Sequence, residues 1–119
     1  MNNKVVAGVG KDAPTVENEQ GGLQSKVLYR FDLLDPAAMF KMTEVLAQGA
    51  EKYGADNWRL ISIQEHLNHL LIHAYAFLAG DTSDDHLSHI MCRSMFAQAV
   101  DVQTPEDVQK TREALGRNG

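Results

Sequence analysis

Residues 62–93 read SIQEHLNHLLIHAYAFLAGDTSDDHLSHIMCR, and the reading of this stretch decides the fold. Ser62 with Glu65 three positions later is a capping-box pattern, so a helix starts at about Ile63. Leu67, Leu70, Leu71, Ala74, Phe77 and Leu78 follow at helical spacing, and Gly80 is placed to stop the helix after about Ala79. Asp81-Thr82-Ser83 reads as a tight turn. Thr82 or Ser83 is placed to cap the next helix, which runs to about Val100 and carries Asp84 and Asp85 in its first turn, where the helix dipole favours negative charge. A turn this short makes the two helices antiparallel neighbours.

Working outward, Asp35-Pro36 supplies an N-cap followed by proline at the first helical position. Met39, Met42, Val45, Leu46 and Tyr53 keep helical spacing from there, and Gly54 sits where a left-handed residue ends a helix. Thr104-Pro105-Glu106-Asp107 repeats the cap, proline and acid signature and starts a last helix that frays near Gly116. Upstream, Val27–Phe31 is a short extended candidate, and residues 1–24, with Gly8, Gly10, Pro14, Gly21 and Gly22, read as an irregular arm. The expected fold is therefore an all-α helical bundle: an irregular N-terminal arm over 1–24 and a helical domain over 25–119.

The chain has 119 residues, about one domain and short for a self-contained enzyme cleft, so a homo-oligomer is expected to complete its walls. Apolar residues at 44% and charged residues at 23% argue against disorder over most of its length. A net charge of −5 with no basic run argues against nucleic-acid binding, while leaving room for a compact anion held by a few cations or a metal. Cys92, the single cysteine, cannot form an internal disulfide and falls in an apolar helical pattern, which suggests a reduced, buried thiol and a cytoplasmic setting. No apolar stretch approaches the roughly 20 residues that span a bilayer, and the N-terminus lacks a signal-peptide core.

All five histidines lie between His66 and His89. His66, His69 and His73 fall at i, i+3 and i+7 on one helix face, and His86, His89 and Arg93 repeat that spacing on the next helix, beside Asp85. Antiparallel packing about the turn sets His73 level with His86 and His89, and His69 near His89 or Arg93. Imidazole and carboxylate are ordinary ligands of zinc, manganese and iron, and i, i+3 pairs from facing helices are a known way to build a metal site in a bundle. The candidate ligands are His69, His73, Asp85, His86 and His89. His69, Asp85, His89 and Arg93 are the candidate catalytic groups. Asp81 and Asp84 are read as caps or as ligands. His66 is the weakest member, because Met95 and Phe96 are expected at its level; it would then fix Asn68 or a neighbouring subunit.

Lys52-Tyr53-Gly54-Ala55-Asp56-Asn57-Trp58-Arg59 concentrates cations, aromatic rings and an amide in one connector. Tyr53 or Trp58 is suited to stacking on a base, Asn57 to reading a base edge, and Lys52 or Arg59 to meeting a phosphate. The plainer alternative makes both aromatics core residues and Asn57 a turn former.

The order of motifs Gln24-Ser25, Tyr29-Arg30, Asp32-Leu33-Leu34-Asp35-Pro36, Gly49-Ala50, Lys52-Tyr53-Gly54, Asn57-Trp58-Arg59, His66-Leu67-Asn68-His69, Gly80-Asp81 and Asp85-His86-Leu87-Ser88-His89 resembles the phage-encoded dATP/dGTP diphosphohydrolase domain family over about residues 21–100. The resemblance implies a MazG-like all-α fold, assembly as a dimer or tetramer, and hydrolysis of a purine deoxynucleoside triphosphate to the monophosphate and pyrophosphate with a divalent ion. The MazG pattern carries Glu-Glu-x-x-Glu and Glu-x-x-Asp where this chain has Glu65-His66-Leu67-Asn68-His69 and His86-Leu87-Ser88-His89. Imidazoles in place of carboxylates shift the expected ion from magnesium toward manganese, zinc or iron. A phage-encoded enzyme would work in the host cytoplasm. The rival reading is a non-catalytic nucleotide-binding or host-interaction protein on the same fold. An HD-type phosphohydrolase fits poorly, since the order here is Asp85-His86.

Overall fold

A computed structural model describes residues 6–117. It divides into two compact units, Met1–Leu34 and Asp35–Gly119. Within the first unit, part of the expected irregular arm is ordered as a hairpin. Strands β1 (Thr15–Glu17) and β2 (Leu23–Ser25) pair antiparallel, with Val16 opposite Gln24. Asn18 builds the turn: its side-chain oxygen accepts from the backbone N–H of Gln20 at 3.0 Å and of Gly22 at 2.8 Å. The extended candidate Val27–Phe31 joins neither strand and leads into a 3-10 turn over Phe31–Leu33.

The second unit is all helix and connector: α1 (Pro36–Tyr53), a 3-10 turn (Asn57–Leu60), α2 (Ile63–Leu78), α3 (His86–Val102) and α4 (Pro105–Ala114). Local chemistry sets the helix starts. The Asp35 carboxylate accepts from the Ala38 N–H and Ser62 Oγ from the Glu65 N–H, and Thr104 with Asp107 forms a reciprocal capping box. Helix α3 begins later than its sequence suggests. Its cap is Asp85, not Thr82 or Ser83, which releases Asp84 from the helix into the preceding loop.

Helices α2 and α3 form the main packing pair, α1 lies against α3, and α4 packs on the 57–60 turn. Gln103, at the end of α3, donates to the Arg59 carbonyl at 2.9 Å and ties that turn to the helix pair. Cys92 sits on the α1 side of α3, 2% exposed, with its thiol 3.5 Å from the Met42 carbonyl oxygen. It is the only buried hydrophobic residue among those described, while Leu71, Tyr75 and Leu78 of α2 are 52%, 71% and 77% exposed. No described helix is long and apolar enough to cross a membrane.

Candidate active site

The α2–α3 pair is in antiparallel register. His73 meets His86 and His89, and two turns away His66 meets Arg93 and Phe96. At the first of these levels the His73 and His89 rings stack, nearly parallel, with centroids 4.5 Å apart. Asp84 enters from the loop, its Oδ2 3.3 Å from Nε2 of His89. One ligand atom from each of His73, Asp84 and His89 lies within 4.8 Å of the others. Metal–ligand distances of about 2.0–2.2 Å let one divalent ion close such a triangle with small side-chain rotations. Two imidazoles and a carboxylate with open positions suit zinc, manganese or iron better than magnesium, which prefers oxygen.

A second layer stands behind His73. Nε2 of His86 lies 2.5 Å from Asp81 Oδ2, and its Nδ1 lies 2.9 Å from Nδ1 of His73. The carboxylate only accepts, so His86 carries hydrogen on Nε2. When the His86 ring is neutral, its Nδ1 offers a lone pair to which His73 donates from its own Nδ1, and the lone pair of His73 then lies on Nε2. Asp81 is itself fixed by the Ser83 hydroxyl at 2.7 Å and the Ser83 N–H at 3.2 Å, and these bonds, with His86, hold its carboxyl below the usual range. Burial lowers the pKa of His73, and the neighbouring His89 and His86 rings lower it further, favouring the neutral form that binds metal.

Two of the expected ligands, Asp85 and His86, lie outside the triad and have other bonding partners. Asp85 caps α3 instead: its oxygens accept from the Ser88 N–H at 3.1 Å and the Ser88 hydroxyl at 2.6 Å, and those bonds depress its pKa. Each Asp85 oxygen thus accepts from Ser88, and it is Asp84 that stands beside His73 and His89. His86, only 7% exposed, has both ring nitrogens committed to Asp81 and His73. It lies outside the triad and is bonded to one of its members. His69 lines the cleft without joining the triad.

That cleft, about 1110 Å³, runs from the triad along α2 and α3 to the connector. Lys52, Tyr53, Asn57, Trp58 and Arg93 line it. Trp58 stacks on Phe96 with centroids 4.6 Å apart, and the Arg59 guanidinium lies 4.5 Å from its ring centre. These partners take ring surface that a stacked base would need. Arg59 packs on Trp58 and does not line the cleft. Tyr53 is half exposed, with Lys52 Nζ 5.1 Å from its ring centre, and remains accessible to a base. Asn57 accepts from Arg117, whose other Nη donates to the Tyr53 carbonyl at 2.7 Å. Arg117 was outside the sequence-derived set; it falls in a stretch expected to fray, and nothing in its local pattern marks it.

At the level of His66 the expected Phe96 is present, ring centroids 5.3 Å apart, but polar partners are present as well: its Nδ1 lies 3.1 Å from Arg93 Nη1 and its Nε2 2.9 Å from the Trp58 carbonyl oxygen. Burial depresses the pKa of His66, the Trp58 bond opposing it, and burial also lowers that of Arg93.

A family model described as dATP/dGTP diphosphohydrolase, N-terminal, matches residues 18–110. No curated protein and no solved structure matches the chain.

Proposed function

The chain belongs to the dATP/dGTP diphosphohydrolase N-terminal domain family, and on that premise we propose that it hydrolyses a purine deoxynucleoside triphosphate, dATP or dGTP, at the α-phosphate, releasing the monophosphate and pyrophosphate. The observation that carries this reading is the convergence of His73, Asp84 and His89 in a cleft that also holds Tyr53, Asn57 and Arg93. His73, Asp84 and His89 hold a divalent ion, manganese or zinc before magnesium. Such an ion supplies neutralisation of phosphoryl charge and acidification of the attacking water.

The protein groups do the rest. Asp81 and His86 keep the His73 lone pair on Nε2. His69, one turn from His73 in the same cleft, accepts the proton of the attacking water. Tyr53 stacks on the base, and Asn57, steadied by Arg117, presents its amide to the base edge. Lys52 meets the phosphates near the cleft mouth, while Arg59 holds Trp58 as the cleft floor. The enzyme works in the cytoplasm as a homo-oligomer. Supporting that assembly, exposed Leu71, Tyr75 and Leu78 form an apolar stripe on α2, and a chain whose buried apolar core among the described residues is Cys92 has little to stabilise it alone.

The test is incubation of the purified chain with dATP, dGTP, dCTP and dTTP and manganese, zinc or magnesium, with chromatographic detection of monophosphate and pyrophosphate. Purine substrates yield both products, and chelation stops the reaction. Nucleotide binding that survives chelation, with no product from any substrate, would replace this reading with that of a nucleotide-binding module.

A further inference from the structure

His66 has no exposed surface, and the metal centre gives it no task. Its Nε2 faces the Trp58 carbonyl oxygen at 2.9 Å and its Nδ1 faces Nη1 of Arg93 at 3.1 Å. A carbonyl oxygen only accepts and a guanidinium only donates, so one protonation state satisfies both bonds: a neutral ring with hydrogen on Nε2 and a lone pair on Nδ1. A protonated ring would turn N–H against N–H and set a second positive charge beside the first. Phe96 braces the same ring, with centroids 5.3 Å apart and planes inclined at 56°. The imidazole is therefore held by the backbone of the 57–60 turn on one side and presents a fixed acceptor on the other.

Arg93 takes that acceptor and little else. A guanidinium has five N–H donors, yet His66 is its one hydrogen-bond partner among the described residues, and no described carboxylate forms an ion pair with it. Arg93 lines the cleft that holds His73, Asp84 and His89, about one helical turn beyond His89, roughly 6 Å in axial rise. Glu65, which lines the same cleft, acts on Arg93 through its charge without reaching ion-pair distance, and a partly buried cation with no bonded counter-charge is costly unless an anion arrives to pair with it.

We propose that Arg93 is a phosphoryl-binding subsite distinct from the metal ligands, and that His66 is its positioning residue, locking the guanidinium to the Trp58 carbonyl so that its free N–H groups stay aimed at the cleft. The ligand class is a tetrahedral oxyanion, and its assignment to the phosphate chain of a nucleotide rests on the function proposed above. The subsite itself needs neither a metal nor a nucleoside.

Calorimetric titration of the full chain with inorganic pyrophosphate in EDTA tests it. The unmodified protein binds pyrophosphate, and Arg93→Gln weakens binding at least about tenfold. His66→Gln keeps a donor for the Trp58 carbonyl but no longer places an acceptor at the Nδ1 position facing Arg93, so it weakens binding to a similar extent. His66→Asn keeps an acceptor in the Nδ1 position and restores most of that loss. The Arg93→Gln, His66→Gln double variant binds no more weakly than Arg93→Gln alone, because the two residues act as one unit. Circular dichroism melts accompany each variant, and the contrast between the Asn and Gln replacements separates positioning from general damage. No pyrophosphate binding by the unmodified protein in EDTA, equal losses for the two His66 replacements, or additive losses in the double variant would overturn the proposal. Absence of dNTP hydrolysis with chelator-resistant pyrophosphate binding intact would remove the proposed reaction and leave the subsite standing.

Discussion

His66 and His73 occupy one face of α2, two turns apart, and the protein uses them in opposite ways. His73 sits among rings and acids at an open cleft, with one nitrogen bonded to His86 and the other free. His66 is sealed, with both nitrogens satisfied by the chain. Spacing is the same at both levels; what differs is the neighbour that α3 brings. Opposite His73 stand His86 and His89, opposite His66 stand Arg93 and Phe96. An imidazole is available as a ligand where its surroundings leave a lone pair unspent, and serves as a structural strut where they do not.

The largest effect expected from breaking this contrast is at the His73 level. On the proposed function, His73→Ala or His89→Ala should lower metal content, measured by elemental analysis after dialysis, and reduce phosphohydrolase turnover by more than about 100-fold. Asp81→Asn acts one layer out, through His86, and weakens metal affinity by about 10–100-fold, as is usual for outer-shell partners. Stoichiometric metal in His73→Ala would dissolve the distinction between the two levels.

A smaller effect separates adjacent acids. Asp85→Ala removes the α3 cap and costs about 1 kcal/mol of stability in denaturant unfolding, leaving metal content unchanged. Asp84→Ala should do the reverse, losing metal while stability moves by less than about 0.5 kcal/mol. If Asp85→Ala strips the metal and Asp84→Ala does not, the assignment of the triad is wrong.

The smallest expected change is with pH. His66 and His73 both have depressed pKa values in the folded chain, chiefly through burial. Below the unfolded histidine value of about 6.5 the unfolded chain takes up protons that the folded chain refuses, so stability is full above that pH and declines as pH falls toward the folded values. The carboxyls of Asp81, Asp85 and Asp107 are also depressed, and their contribution is lost only at lower pH, below about 3.9. Melting temperatures of the metal-free chain should therefore drop in two stages. His66→Asn should flatten the upper one, and a profile that stays unchanged between pH 7 and 5 would count against a neutral, buried His66.

Much of this arrangement was legible in the residues themselves. Asp35-Pro36, Ser62 with Glu65, and Thr104-Pro105 each combine a cap with its confirming neighbour, and all three helices start there. The level of His73 with His86 and His89 follows from a short turn and a constant rise per residue. The start of α3 was harder, because every residue from Asp81 to Asp85 is able to cap, and local rules do not choose among them; Asp81 is drawn off by Ser83 and His86, and Asp85 is left to cap. That choice leaves Asp84, rather than Asp85, beside His73 and His89. The pairing of His66 with Arg93 was missed because a small error of rotation at that level exchanges Arg93 for Met95. In the arm, Asn18 and Gly21-Gly22 carried a turn signal, but three-residue exposed strands have too little alternation to declare themselves.

The single sulfhydryl of Cys92 has a practical corollary. Burial pushes its pKa to about 11, so at neutral pH only about one molecule in ten thousand presents the nucleophilic thiolate, and that one is shielded by α1. Maleimides and other alkylating labels should pass it by. A cysteine introduced at an exposed position would then be the sole attachment point for a fluorophore or spin probe, without first removing the native one.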